Sequence, residues 1–147
     1  MIRPYTRFDY DSIFQMLCNY RDVSGIDTLK QANNRTHIEL LLNHILAGGG
    51  VGLVACKEQL PVGVLLALRT PIIWEPSLFQ LSELVYWMEP EARKSRLGYL
   101  LLKEYVRIGQ GMKKSGTIEA FTMTRRSGTS VNYSRFGFKP VEENWSQ

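Results

Sequence analysis

The chain has 147 residues, of which 44% are hydrophobic and 22% are charged, and its formal net charge at pH 7 is +4. This composition is ordinary for a globular protein and argues against a disordered chain, a fibrous repeat or a disulfide scaffold. We expect one domain over residues 1–147, large enough to bury a substantial core. The apolar runs are too short to cross a bilayer and the first residues lack the apolar core of a signal peptide, so cytoplasmic residence is the default expectation.

Apolar spacing and turn residues predict the order of elements along the chain. Apolar runs bounded by turn residues predict strands, and apolar residues three and four positions apart predict helices. The expected elements are a strand at 1–6, a helix at 12–20, a helix from Thr36 to the glycines at 48–50, strands at 51–57, 62–70 and 79–88, a helix from about Leu97 to 109–111, a strand at 117–124, a short helix opened by Ser127 or Thr129, and a last strand at 138–142. This order predicts a mixed sheet flanked by helices.

Helix boundaries carry specific local signals. Asp9 or Asp11 can cap the first helix. Thr36 followed by Glu39 three residues later has the pattern of a capping box at the start of the second helix. Three glycines at 48–50 end that helix, and because no Gly-Lys-Ser/Thr follows them, a link to the next strand is favoured over a phosphate-binding loop.

The cysteine, histidine and basic residues do not by themselves define a site. Cys18 and Cys56 lie in apolar runs and are expected to be free thiols in or near the core. His37 and His44 lack further Cys or His residues to complete a ligand set, so no metal is expected. The positive charge suits a polyanionic cofactor, an acidic partner or nucleic acid equally well, and no nucleic-acid recognition motif chooses among them.

The stretch best suited to chemistry is the basic turn between the strand at 79–88 and the helix that follows. Backbone N–H groups at a helix start lack intrahelical partners and carry a partial positive charge, so they bind anions. Arg93, Lys94 and Arg96 add fixed positive charge at the same point. The turn therefore predicts a site for a phosphate-bearing ligand, with a solvated basic connector as the alternative.

The same turn resembles a motif of a known family. Residues 90–98, PEARKSRLG, resemble the R/Q-x-x-G-x-G/A motif of the GCN5-related N-acetyltransferases (GNAT), with Arg93 and Gly98 on its first and last positions. Arg96 replaces the middle glycine and would be strained if that position needs a positive φ. This replacement, together with the run SELVYWMEPEAR at 82–93, resembles a subgroup of small stand-alone acetyltransferases, many of them found in phage genomes.

The resemblance implies a fold and a cofactor. The fold is a single α+β domain with a mixed, mostly antiparallel sheet of about six to seven strands, splayed in the middle and flanked by about four helices. The cofactor is acetyl-CoA, with its pyrophosphate in the basic turn and its pantetheine arm against the unpaired backbone of the splayed strand. The implied cofactor-binding residues are Tyr86, Trp87, Met88, Glu89, Arg93, Lys94, Ser95, Arg96, Leu97, Gly98, Tyr99 and Arg126, the last replacing an asparagine that is common in the family.

Two side chains are implied as catalytic. Tyr133 matches the tyrosine of the family's Y-x-x-x-G-F motif, which lies near the coenzyme sulfur, and a phenol with a reference pKa of about 10 can act there as general acid. Packing in the core is the alternative role. Glu83 is near the position of the base in several members, where it acts directly or through water; a structural hydrogen bond is its alternative role, and some members rely on water alone.

The resemblance therefore implies a cytoplasmic N-acetyltransferase that passes acetyl from acetyl-CoA to a primary amine in a ternary complex. The acceptor, which the sequence leaves open, is a small molecule, a protein or a nucleobase amine, and the protein is a monomer or a homodimer. Segments 22–35 and 71–79 are expected on the acceptor side, with Trp74 beside Phe79 as a pocket wall or packed on the sheet. The alternatives are a coenzyme-binding or protein-interaction module without turnover and, from the charge alone, a nucleic-acid binder.

Overall fold

The computed structural model describes residues 1–126, 129 and 131–147, and within these ranges five strands form one sheet that carries three α-helices. The strands are β1 (Ile2–Pro4), β2 (Gly50–Lys57), β3 (Leu60–Ile72), β4 (Glu75–Met88) and β5 (Ala120–Thr122). The helices are α1 (Tyr10–Asp22), α2 (Arg35–His44) and α3 (Leu97–Lys114). Single turns of 3₁₀-helix include Pro90–Ala92 and Tyr133–Phe136.

The sheet is open, with the strand order β1-β2-β3-β4-β5. All neighbouring strands are antiparallel except β4 and β5, which are parallel. A two-residue turn at Glu58 and Gln59, with φ values of 52° and 71°, joins β2 to β3 and matches the twist of the hairpin. The expected mixed, mostly antiparallel α+β architecture is confirmed. The expected six to seven strands and four helices are wrong, because the described residues form five strands and three α-helices.

Both faces of the sheet are buried, and this is why β2 and β3 read as continuous apolar runs. Along β2, Leu53 and Ala55 belong to the core under α3, whereas Val54 and Cys56 belong to the core under α1 and α2. Cys56 is buried, Cys18 is half-buried, and both are free thiols as expected. Within the described part of the chain, no helix combines the length and apolarity that spanning a bilayer requires.

The start of α2 differs from the sequence expectation. Asn34 is the N-cap, and its side-chain oxygen accepts a hydrogen bond from the His37 amide at 3.0 Å. The Glu39 carboxylate does not accept a hydrogen bond from the Thr36 amide, because Arg35 holds it with an Nε to Oε1 distance of 3.0 Å. The expected capping box at Thr36 is therefore wrong, and an i,i+4 ion pair has taken its place.

The end of α3 is also later than expected. The helix continues through the two glycines in the range 109–111 and ends at Lys114. A Cβ on Gly109 would lie 2.7 Å from the Phe121 ring of β5, so this glycine allows close packing of the helix on the sheet. It was interpreted from sequence as a helix terminator, and the tertiary contact explains why it is not one.

The segment after Thr117 forms less regular structure than expected. The strand predicted at 117–124 is reduced to the three residues of β5, and residues 138–142 form no strand. The short helix predicted there is a single 3₁₀ turn, capped by the Asn132 side chain and ended by Gly137 with φ 87°. Ser127, one of the two residues expected to open it, lies outside the described residues.

The β3–β4 hairpin is longer than the sequence predicts. The sequence places strands at 62–70 and 79–88 and leaves the segment between them, which contains Pro71 and Pro76, outside the sheet, yet β3 and β4 extend to within two residues of each other there. This arm lies beyond the last paired residues of β2 and β5, so its outer edges have no strand that would need the missing N–H groups, and Pro76 also has no partner in the β3–β4 register. Trp74 lies in the connection and is 88% exposed.

Candidate active site

The basic turn lies between β4 and α3, as the sequence predicts. Arg96 occupies the N-cap of α3 with φ −78° and ψ −2°, which is ordinary right-handed backbone. The absence of the usual glycine at this position therefore causes no backbone strain. Lys94, Ser95 and Arg96 are exposed, so their side chains are accessible to a ligand.

The first turn of α3 presents backbone donors. The Ser95 hydroxyl donates to the Ala92 carbonyl at 2.6 Å, and its oxygen accepts a long hydrogen bond of 3.3 Å from the Leu97 amide. The next two amides, those of Gly98 and Tyr99, precede the first intrahelical hydrogen bonds, and no partner for them is found among the described residues. The helix start thus keeps two N–H donors for an anion, and a third is only loosely capped.

Gly98 is held close to the end of β4. The Tyr86 hydroxyl donates to the Gly98 carbonyl at 2.6 Å, and a Cβ on Gly98 would lie 3.3 Å from Cγ of Met88. Tyr86 and Met88, which the resemblance implies as cofactor residues, therefore also support the helix start with their side chains. Burial raises the pKa of Tyr86 to about 12, so its hydroxyl keeps the proton that makes this bond.

Arg93 and Glu89 make contacts within the protein. The Nε of Arg93 donates to the Met88 carbonyl at 3.0 Å, and its guanidinium carbon lies 4.6 Å from the centroid of the Trp87 ring. The Glu89 amide donates to the β3 carbonyl of Val62 at 2.8 Å, and the side chain of Asn19 on α1 donates to the Glu89 carboxylate. These two residues are thus directed at β4, β3 and α1, with no feature of the local sequence to indicate it.

A gap opens between β4 and β5 beside the start of α3. The two strands pair at three positions that end with Ser82 opposite Thr122, whereas the other edge of β4 stays paired with β3 as far as Met88. The separated segments are 83–88 of β4 and 123–126 after β5, and we call the space between them the strand cleft. Backbone groups on the cleft edge of β4 have no strand to pair with among the described residues, so a ligand can satisfy them.

Glu83 and Tyr133 converge in the strand cleft on one residue that sequence reasoning missed. Oε2 of Glu83 accepts a hydrogen bond from the Thr124 amide at 3.1 Å, and the Tyr133 hydroxyl donates to the Thr124 carbonyl at 3.2 Å. Leu84 has no partner in the β3–β4 register, and such a bulge changes the direction in which the adjacent Glu83 side chain points.

The side chains of Glu83 and Tyr133 hold their protons with different strengths. Burial raises the pKa of Glu83 to about 6, against the opposing effect of the Thr124 hydrogen bonds. Burial, and after it the nearby charge of Glu83, raises the pKa of Tyr133 well above its usual value. At neutral pH Glu83 can therefore accept a proton while Tyr133 still has one to donate, and this is the arrangement of a general base and a general acid.

Arg126 lies on the other side of the cleft from α3. Its Nη2 donates to the Val23 carbonyl just after α1 at 2.7 Å, and its guanidinium carbon lies 5.2 Å from the centroid of the Tyr20 ring. Tyr20 in turn packs edge-on against Trp87, with the ring centroids 5.7 Å apart. Tyr20 was not singled out from sequence, because only the fold brings the end of α1 to β4.

Two surface concavities lie away from these residues. One of about 480 Å³ follows α3 between Leu100 and Gln110, and another of about 240 Å³ lies beside the end of α2 and β2. Neither is lined by a residue that the sequence assigns to the site. The strand cleft is therefore identified by its chemistry and not by its volume.

Comparison with known proteins finds likeness in structure. No family model matches the sequence, and no curated protein sequence matches it. A GCN5-related N-acetyltransferase from Ralstonia eutropha JMP134 covers 100% of the chain at 17% identity and a TM-score of 0.75, with 97% of its own length covered. An acetyltransferase from Trypanosoma brucei covers 100% of the chain at 15% identity and a TM-score of 0.72, with 97% of its own length covered.

A transcriptional regulator from Bacillus halodurans C-125 also covers 100% of the chain, at 19% identity and a TM-score of 0.73, with 97% of its own length covered. At such identities the likeness is one of fold. Membership of the phage-type subgroup stays a prediction. Together with the open mixed sheet, the structural neighbours show that the chain has the fold of the GCN5-related N-acetyltransferases.

Proposed function

We propose that the protein is an N-acetyltransferase that transfers the acetyl group of acetyl-CoA directly to a primary amine bound in the same ternary complex. The observation that carries the proposal is the convergence of Glu83 and Tyr133 on Thr124 in the strand cleft, beside the first turn of α3. A proton acceptor, a proton donor and an anion site thus surround one gap in the sheet. The fold likeness to acetyltransferases supports the same reading.

The donors at the start of α3 fit a diphosphate. The Gly98 and Tyr99 amides point from the positive end of the helix dipole, and exposed Lys94 and Arg96 add two positive charges. The unpaired edge of β4 in the strand cleft suits an extended amide-bearing arm, which can pair with a strand edge. When bound there, acetyl-CoA supplies an activated thioester.

Glu83 and Tyr133 divide the proton transfers. Ionised Glu83 accepts a proton from the acceptor ammonium, directly or through one water, so that the neutral amine forms the new C–N bond. Tyr133 donates from its hydroxyl to the sulfur as the C–S bond breaks, and solvent restores both groups. Positioned acid and base groups of this kind contribute about 10²–10⁴-fold each to the rate.

Binding and turnover are tested separately. We expect calorimetric titration to show binding of CoA and acetyl-CoA, and a thiol-release assay with a panel of amines to show transfer with intersecting initial-velocity lines. Parallel lines would contradict direct transfer. Binding without release from any amine would favour the coenzyme-binding module, and no binding at all would overturn both.

A charge-matched pair of variants locates the coenzyme. The double variant Lys94→Ala/Arg96→Ala is expected to weaken CoA binding by roughly tenfold or more, because it removes two charge-assisted phosphate contacts. Lys113→Ala/Lys114→Ala removes the same charge at the far end of α3 and is the control. Equal weakening of CoA binding by both double variants would mean that the effect comes from the net charge of the protein and not from the basic turn.

A further inference from the structure

A buried tyrosine on α3 contacts the segment to which Glu83 and Tyr133 bind. The Tyr105 hydroxyl donates to the Thr122 carbonyl at 2.9 Å, and the Tyr105 side chain is fully buried. Thr122 is the last residue of β5 that pairs with β4, and Thr124 follows it by two residues. The proton transfers proposed for Glu83 and Tyr133 assign no role to this tyrosine.

Three side chains hold the backbone of residues 122–124. Tyr105 binds the Thr122 carbonyl, Glu83 binds the Thr124 amide and Tyr133 binds the Thr124 carbonyl. Beyond the pair of Ser82 and Thr122, no strand partner for this segment is found among the described residues. Because the ladder ends there, side-chain hydrogen bonds take over the positioning of the backbone.

Aromatic packing fixes where the Tyr105 hydroxyl lies. The Tyr105 ring packs edge-on against Phe121 of β5, with the ring centroids 5.8 Å apart. Phe121 packs against Phe138 at 5.4 Å, and Phe138 packs against Tyr133 at 6.1 Å. One continuous series of rings therefore connects Tyr105 to the proposed general acid, and such edge-to-face contacts restrict the movement of each ring.

The helix that carries Tyr105 also begins at the proposed coenzyme site. The eight residues from Leu97 to Tyr105 span about 12 Å of helix at 1.5 Å per residue. α3 thus offers its first-turn amides to an anion at one point and holds the Thr122 carbonyl two turns later. The position of Thr124 relative to the coenzyme therefore depends on α3 as well as on β5.

We propose that Tyr105 is a positioning residue for acetyl transfer, and that its hydroxyl holds Thr122 so that Thr124 presents its amide to Glu83 and its carbonyl to Tyr133. The inference rests on the proposed function and adds a residue to its site. Tyr105 acts through the backbone and not by contact with a substrate. Without its hydroxyl, the Thr122 carbonyl loses a donor and the hydrogen bonds at Thr124 loosen.

The protonation of Glu83 reports on this positioning. The hydrogen bonds from Thr124 lower the pKa of Glu83, although burial has the larger effect and raises it to about 6. Looser hydrogen bonds stabilise the carboxylate less. Loss of the Tyr105 hydroxyl is therefore expected to raise the pKa of Glu83 further.

Other charges around Glu83 stay constant near neutral pH. The charge of Glu83 raises the pKa of Tyr20 on α1, of Tyr105 on α3 and of Tyr133, in each case after the larger effect of burial. All three tyrosines therefore stay protonated, and the guanidinium groups that act on Tyr20 and Tyr133, those of Arg126 and Arg125, stay charged. A shift in the titration of Glu83 thus reports on its hydrogen bonds.

Two tyrosine variants test the inference with matched chemistry. Tyr105→Phe keeps the ring and removes the hydroxyl. Tyr5→Phe is the control, because Tyr5 is equally buried and its hydroxyl also donates to a main-chain carbonyl, that of Leu42 at 2.6 Å, in the core under α1 and α2. Both variants keep the core filled, so both are expected to fold.

Steady-state kinetics over a range of pH distinguish positioning from general stability. In Tyr105→Phe, kcat is expected to fall about tenfold with the KM for acetyl-CoA unchanged, and the rise of kcat/KM near pH 6 is expected to move to higher pH. Tyr5→Phe is expected to keep the wild-type kcat and pH profile. Equal losses in the two variants, or a wild-type kcat and profile in Tyr105→Phe, overturn the inference.

A measurement without turnover keeps the inference distinct from the proposed function. Carbon NMR of the labelled Glu83 carboxyl group is expected to show a higher titration midpoint in Tyr105→Phe than in the wild-type protein and in Tyr5→Phe. Hydrogen exchange of the Thr124 amide is expected to be severalfold faster in Tyr105→Phe alone. An unchanged midpoint and exchange rate overturn the positioning role whether or not an amine is acetylated, whereas absence of transfer by the wild-type protein overturns the proposed function.

Discussion

Replacing Glu83 by Gln is expected to make the protein more stable and less active. Burial raises the pKa of Glu83 from 4.5 to about 6, so the folded state holds this proton more tightly than the unfolded chain does. When folding raises the pKa of a group in this way, its contribution to stability is fully present below the pKa that it has in the unfolded chain. The contribution is lost as the pH rises through the pKa that it has in the folded protein. At about 1.36 kcal/mol per pKa unit, ionised Glu83 costs about 2 kcal/mol above neutral pH.

The Glu83→Gln variant removes that cost but keeps a side-chain oxygen for the Thr124 amide. Its free energy of unfolding is expected to exceed the wild-type value by up to about 2 kcal/mol near pH 8 and to match it near pH 4. Urea unfolding over this pH range measures the difference. Glu119 is an exposed carboxylate just before β5, and Glu119→Gln is the control, which is expected to change stability by less than about 0.5 kcal/mol.

The same variant reports on catalysis. In the wild-type protein, kcat/KM for an amine is expected to rise through about pH 6 as Glu83 ionises. In Glu83→Gln the rate is expected to fall by about 10²–10⁴-fold and that rise is expected to vanish. A stability difference between Glu83→Gln and the wild-type protein that is the same at every pH would refute the argument that burial raises the pKa of Glu83. Full activity of Glu83→Gln would mean that water alone acts as the base.

Three further variants test other contacts. Tyr133→Phe keeps the ring but removes the proton donor, so kcat is expected to fall about 10²-fold with coenzyme affinity unchanged, and steady-state kinetics with an unaltered kcat at every pH would contradict the acid role. Gly98→Ala places a methyl group 3.3 Å from Cγ of Met88, whereas Ala favours the helix by about 1 kcal/mol. Because these two effects oppose each other, the midpoint of thermal unfolding should change little. Calorimetry of the same variant should show weaker CoA binding. Arg3 holds the pKa of the Asp9 carboxyl below its usual value. The stabilisation from this ion pair is therefore present above the pKa that Asp9 has in the unfolded chain, and it is lost as the pH falls through the lower pKa of the folded protein. Asp9→Asn should therefore cost on the order of 2 kcal/mol at neutral pH and much less in acid, and a cost that does not depend on pH in urea unfolding would count against this ion pair.

Local sequence was sufficient for features that a few neighbouring residues decide. The strand, basic turn and helix from Glu83 to Tyr105 could be predicted because the period of apolar residues changes at the turn, and the β2–β3 hairpin because turn residues separate two apolar runs. The mixed sheet followed from the order of such elements. The positions of Glu83 and Tyr133 near one another came from the family resemblance and not from spacing.

The tertiary structure alone decided contacts between segments far apart in the chain. Gly109 reads as a helix end until Phe121 is seen to pack against it. Arg126, which the resemblance implies as a cofactor residue, has its guanidinium on Val23 and Tyr20, more than 100 positions earlier in the chain. Neither partner can be identified from nearby residues, because the energy of such contacts depends on which surfaces the completed sheet brings together.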